Sequence, residues 1–163
     1  MHILIKNKKL IINNYRIKCA VGKRGIGKKK KEGDFITPIG IFKIKLLLYR
    51  KDRIRRLNTV LRKHAITKNM GWCNDTKSKK YNKLISTPFN FSFEKLFRKE
   101  NTYDLIIVLN YNMNPIKKNK GSAIFIHVAK KNYKSTAGCI AIRKTQFIKI
   151  LKIIKKNSKI KII

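Results

Sequence analysis

The run LIIVL at residues 105–109 is the feature that most restricts what this chain can fold into. Within YDLIIVLNY it offers five consecutive apolar residues and no polar position to face water, the pattern of a strand covered on both faces. A fold that accommodates it needs a sheet with a core on one side and further structure on the other. Most other apolar segments are also of strand length. Residues 3–5 and 10–12, then Tyr15, Ile17, Cys19 and Val21 at period two, predict strands near the N-terminus. Ile39, Ile41 and residues 42–48 predict another after the bend at TPIG, and 124–128, 139–142 and 160–163 predict three more. A loop of about ten residues between 128 and 139 is expected to bring the chain back antiparallel. Helical spacing occurs twice. Phe147, Ile150, Leu151 and Ile154 fall at i, i+3, i+4 and i+7. Phe93, Leu96 and Phe97 in FSFEKLFRKE do likewise, with Ser92 in N-cap position. Residues 49–88 are polar and irregular and predict a long loop or insertion. No repeat or linker divides the chain, so 1–163 reads as one mainly β domain, long enough to bury a core.

Charge bears on partners. The chain has 42 Lys+Arg against 7 Asp+Glu, a net +35, so it will bind polyanions non-specifically at low salt. Two readings fit: a nucleic-acid binder, or a biased composition in which Lys, Ile and Asn occupy the replaceable surface positions. Lysines spread from Lys6 to Lys161 favour the second. A nucleic-acid interface further requires a clustered cationic face and exposed aromatics, whereas Phe42, Phe125 and Phe147 fall at core-facing positions. Cys19, Cys73 and Cys139 are an odd count without CxxC spacing, which excludes a full disulfide set and offers no zinc signature. No stretch approaches the roughly 18 apolar residues of a membrane span. Lys and Asn interrupt the first residues, so no signal-peptide core is visible and the sequence predicts a cytoplasmic protein, unless the start lies upstream or export is unusual. His2 and His64 lie in basic stretches and read as solvated. Gly22, Gly27 and Lys28 fit part of a phosphate loop, but Lys29 stands where a Ser or Thr must reach Mg²⁺ and no helix signal follows. Those glycines read as a tightly turning basic loop.

The stretch IFIHVAKKNYKSTAGCIAI, residues 124–142, sets His127 and Cys139 at facing ends of one segment. A cysteine nucleophile needs a base within reach, a favoured thiolate and donors for an oxyanion. Gly138 lets the backbone turn beside Cys139 and lets a substrate approach. On spacing alone, two structural residues flanking a turn are the favoured reading.

IFIHVA…STAGCIAI resembles the active-site signature of the L,D-transpeptidase catalytic domain (YkuD-type), a His strand followed by a Ser/Thr-x-Gly-Cys turn. EGDFITPIGIF resembles that family's T-P-x-G-x-[FY] segment at Thr37, Pro38, Gly40 and Phe42. GWCND, YN and NYNMNP…KGSAIFIH are similar to a compact branch of it. The resemblance covers roughly residues 15 to 145. It departs at Ala137 and Ala141, where many members carry His and Arg, and the His-to-Cys spacing of 12 is short. What it implies is a β-sandwich or open barrel with one or two short helices, in a bacterial protein acting on peptidoglycan stem peptides or muropeptides. Carried over by position, His127 is the base and Cys139 the nucleophile. Thr136 and Gly138 form the turn, with backbone N–H groups near Gly138 and Cys139 as oxyanion donors. Thr37, Pro38, Gly40, Trp72, Tyr81, Asn112 and Arg143 are candidates for the groove; Trp72 and Cys73 read equally as loop anchors. An adjacent imidazolium and the cationic surroundings are expected to favour thiolate. No metal or organic cofactor is implied. The acceptor is an amine in an L,D-transpeptidase or water in a cytoplasmic L,D-carboxypeptidase. The reading from another class remains a basic nucleic-acid-binding protein.

Overall fold

The computed structural model describes residues 2–163; Met1 and the side chain of His2 lie outside the description. Among the described residues, fourteen strands and one α-helix follow in order. β1 (His2–Lys6), β2 (Lys9–Ile12) and β3 (Tyr15–Lys18) form an antiparallel meander. β4 (Ile26–Gly27) and β5 (Thr37–Pro38) pair in parallel, and β6 (Gly40–Tyr49) is the longest strand. β7 (Lys63–Ala65), β8 (Met70–Cys73), β9 (Leu84–Ser86) and β10 (Phe93–Lys95) precede the central β11 (Leu105–Leu109). β12 (Phe125–Val128), β13 (Ile140–Ile142), α1 (Lys144–Leu151) and β14 (Lys159–Ile162) complete the chain.

The main sheet runs β13-β12-β11-β6-β14-β1-β2-β3, with β7 added to β6. Ala20, just past β3, bridges Ala141 of β13, so the ends of the sheet meet and the sheet nearly closes into a barrel. Period-two alternation decides what each strand contributes. Leu105, Ile107 and Leu109 of β11 point inward with Ile3, Ile5, Ile126, Ile140, Ile160 and their neighbours. Phe147, Ile150, Leu151 and Ile154 close that interior, as their spacing predicted. Ile106 and Val108 point outward into a second core with Leu48, Ile66, Trp72, Leu96 and Phe125. This second core is the cover that LIIVL required.

Three expectations are corrected. FSFEKLFRKE is not a helix: Phe93–Lys95 is a strand paired with β8, and the Phe93 ring packs over Gly71, where a Cβ would lie 2.4 Å from it. Ser92 hydrogen-bonds Asn74 instead of capping a helix. Residues 49–88 are not a plain loop. They supply β7, β8 and β9 in runs of three or four residues, too short to show a period, and β10-β8-β9 form a small sheet over the outer face of β11 and β12. The third correction concerns β12 and β13, which run parallel, with His127 opposite Ala141. No helix among the described residues is long and apolar enough to cross a membrane.

Phe147 is fully buried at the barrel's helix plug, so Phe147→Ala should lower the free energy of unfolding in urea by about 3–5 kcal/mol. The exposed Lys149→Ala on the same helix should stay within about 0.5 kcal/mol.

Candidate active site

The parallel pairing of β12 with β13 sets the geometry. Ile126, Val128, Ile140 and Ile142 point into the barrel. The residues between them, Phe125, His127, Cys139 and Ala141, therefore share the outer face. Since His127 is level with Ala141, Cys139 is its diagonal neighbour on the adjacent strand. Both line a cleft of about 740 Å³ between the barrel and the small sheet.

The turn carrying Cys139 is tied on every side. Ala20 N–H and C=O pair with Ala141 on one flank, while Lys23 N–H donates to Thr136 C=O and Thr136 N–H to Val21 C=O on the other. Thr136 Oγ1 donates to Cys139 C=O at 2.6 Å and accepts Gly138 N–H at 3.1 Å. Gly138 adopts φ +139°, and a Cβ there would press on Ile36 C=O at 2.9 Å, so glycine is required. Thr37, fully buried, donates its hydroxyl to Gly138 C=O at 2.9 Å and accepts Gly22 N–H at 2.8 Å. The Cys139 thiol donates to Ala123 C=O at 3.1 Å.

The other sequence candidates separate into supports and bystanders. Trp72 Nε1 donates to Asn82 Oδ1, which also accepts Ala123 N–H. The Asn82 amide donates to the carbonyls of Tyr111 and Asn112, and Asn112 in turn donates to Lys117 and Gly121 carbonyls. Tyr81 donates to Glu32 and accepts Gly121 N–H. Trp72, Tyr81 and Asn112 thus fix the loop that ends at Ala123, without lining the cleft themselves. Pro38 is buried in β5, and Gly40 sits at φ +144° against the Phe42 ring. Arg143 lies outside the cleft, beside α1, with its guanidinium 5.6 Å from the Tyr133 ring. Exposed His64 accords with a solvated residue.

Several cleft residues gave no motif. Glu94 accepts the Tyr103 hydroxyl and pairs with Arg98 at 3.1 Å; the Tyr103 ring meets the His127 imidazole edge-on at 5.4 Å. Lys29, the second lysine of the KKKK run at 28–31, buries its ammonium against Asp34 at 2.5 Å behind the Gly138 turn. Burial works against the Asp34 charge, but Lys29 and the N–H groups of Lys30, Ile36 and Lys31 outweigh it and hold its carboxyl at about 2. The available signal was scarcity: among 42 cations, each of the seven carboxylates is a choice.

The expected thiolate is not what this cleft favours. Burial, with the Glu94 carboxylate adding, pushes the Cys139 thiol up to about 12, against opposing pulls from Phe125 N–H, Lys29 and Arg98. Burial likewise lowers His127 to about 4, with Arg98 and Lys130 helping and the Val128 carbonyl opposing. Desolvation disfavours either charged form more than the surrounding cations favour the anion. The pair therefore rests as thiol and neutral imidazole. His127 Nδ1 lies 2.9 Å from Val128 C=O, which assigns the proton to Nδ1 and leaves Nε2 as an acceptor.

Set beside known families, the model of the L,D-transpeptidase catalytic domain (YkuD) matches residues 1–162. No curated protein matches the chain.

Thr37→Val would orphan both Gly22 N–H and Gly138 C=O, and should destabilise the protein by about 2–4 kcal/mol in urea unfolding. Thr37→Ser keeps both bonds and should recover most of that loss.

Proposed function

Because the chain belongs to the L,D-transpeptidase catalytic domain family, we propose that residues 1–163 are one catalytic domain, a cysteine acyltransferase acting on peptidoglycan stem peptides. The observation that carries this reading is Cys139 beside His127 on one sheet face, at a tied turn opening on a cleft. In the proposed reaction the Cys139 sulfur attacks the carbonyl of the third, diamino-acid residue while His127 Nε2 takes the thiol proton. Neutral partners suit this order: the proton moves as the S–C bond forms, and no ion pair has to exist beforehand.

Cys139 N–H, which makes no hydrogen bond among the described residues, is the donor for the tetrahedral oxyanion. Gly138 N–H is held by Thr136 Oγ1 and would first have to be released. Collapse breaks the peptide C–N bond. His127 returns its proton to the departing amine, and D-alanine leaves behind a Cys139 thioester. An amine acceptor then gives a 3→3 cross-link; water gives a tripeptide, the carboxypeptidase outcome. Arg98, Lys95, Lys130 and Lys134 on the cleft wall suit substrate carboxylates, and Glu94 suits a substrate ammonium.

Given a disaccharide-tetrapeptide, the purified protein should release D-alanine, read by mass spectrometry, with dimer or tripeptide identifying the acceptor. Cys139→Ala should reduce release to background and His127→Ala should lower kcat by about 10²–10⁴-fold. Wild-type release from Cys139→Ala would refute the reading.

The protonation states give a second expectation. The base is lost only as pH falls through about 4 and the thiol ionises only near 12. The kcat/KM profile, which reports the free enzyme, should be flat from about pH 6 to 9. A limb inside that window would mean a preformed thiolate–imidazolium pair instead.

A further inference from the structure

The cleft occupies the outer side of β12 and β13, under the small sheet. Among the described residues, the outer side of β3, β2, β1, β14 and the β14-paired half of β6 carries no such cover. Register places Ile41, Lys161, Leu4, Ile11 and Arg16 in one row across those five strands. Lys43 and Lys159 pair on one side of this row, and Lys6 and Lys9 pair on the other. All the cations in these rows are exposed, Leu4 and Ile11 are half-buried, and Ile41 is 57% exposed.

Composition alone does not account for this face. All seven carboxylates of the chain fall between Glu32 and Asp104, and none lies on the five strands. Six of the seven hydrogen-bond to specific partners there, among them Lys29, Arg50, Arg53, Arg98 and Lys144. Cross-strand neighbours lie about 4.8 Å apart and same-face neighbours along a strand about 6.8 Å. Both spacings are below the Debye length of about 8 Å at physiological salt, so the potentials of the lysines add.

We propose that this face docks peripherally on an anionic phospholipid bilayer. Lysines facing a negative leaflet are attracted within a Debye length, and an aliphatic row between them gains by entering the headgroup–acyl boundary. Ile41, Leu4 and Ile11 are aliphatic, whereas a single-stranded nucleic acid is held by aromatic platforms on which bases stack. In the nearly closed ring of eight strands, β14 is four strands from β13 in either direction. Docking through β14 and its neighbours turns the Cys139 cleft away from the lipid, open to a polymer above the membrane.

The test is sedimentation of the full chain with vesicles of equal parts phosphatidylglycerol and phosphatidylcholine, against pure phosphatidylcholine and against duplex DNA. Binding should require phosphatidylglycerol. Lys43→Glu/Lys159→Glu/Lys161→Glu should weaken it by about 100-fold or more. Lys68→Glu/Lys79→Glu/Lys83→Glu, an equal charge change at exposed positions elsewhere, should weaken it far less. Ile41→Ser, at a site exposed enough to leave the fold intact, should lower vesicle binding at least about threefold and leave DNA binding unchanged. Equal loss in the two triple variants would reduce the effect to net charge and overturn the proposal. So would a Ile41→Ser variant that binds vesicles like wild type, or DNA bound more tightly than vesicles through the same lysines.

Discussion

Two short backbone bridges, one on each flank of Cys139, are the constraint on which the rest of this structure depends. Ala20 pairs with Ala141 and the Val21–Lys23 segment pairs with Thr136, which closes the barrel and pins the turn between. The Thr37 hydroxyl braces the same turn, joining Gly22 N–H to Gly138 C=O. The closeness of these strands leaves no room for side chains at two points. A Cβ on Gly22 would lie 2.2 Å from Phe35 C=O, and one on Gly138 would press on Ile36 C=O. Each bond contributes modestly, but leaving any buried partner unmade costs more than making it gains. The thiol is therefore presented by a frame whose parts come from both ends of the chain.

The two-sided use of the sheet follows from the same closure. Alternate residues fill the barrel, and their neighbours are sent outward, where the chain must either cover them or leave them wet. Over β11 and β12 the small sheet supplies the cover, and its edge makes the cleft wall. That cover also sets the chemistry. In a chain with a net charge of +35, a thiol would be expected to ionise readily, yet burial of Cys139 and His127 dominates and both rest neutral. A distant cation acts weakly through solvent; loss of hydration acts at the atom itself.

Legibility in the sequence varied with segment length and with how local the governing interaction was. The LIIVL strand, the Phe147–Ile150–Leu151–Ile154 helix face and the N-terminal strands were readable because burial imposes a period over several residues. FSFEKLFRKE misled because Phe93, Leu96 and Phe97 fit a helical stripe, while pairing with β8 and the space over Gly71 favoured a strand. Runs of three residues in β7 and β9 carry no period at all. Trp72, Tyr81 and Asn112 were recognisable as part of a motif, but their work, hydrogen-bonding the loop to Ala123, is done at a distance from the cleft. Glu94, Arg98 and Tyr103 belong to no motif and meet His127 and Cys139 only after the small sheet packs down.

By itself, the sequence determined that this is a mainly β chain with one strand covered on both faces and a C-terminal helix closing the core. It also determined which His and Cys share the ordered motifs of a family, because these follow from local periodicity and residue identity. Only the tertiary structure decided that β12 and β13 run parallel, that Thr37 supports the cysteine turn, and that lysines far apart in the chain line up in bare rows across β6, β14, β1 and β2. Those outcomes depend on contacts between residues as far apart as Thr37 and Gly138, and on desolvation, which belongs to the packed site and to no single residue.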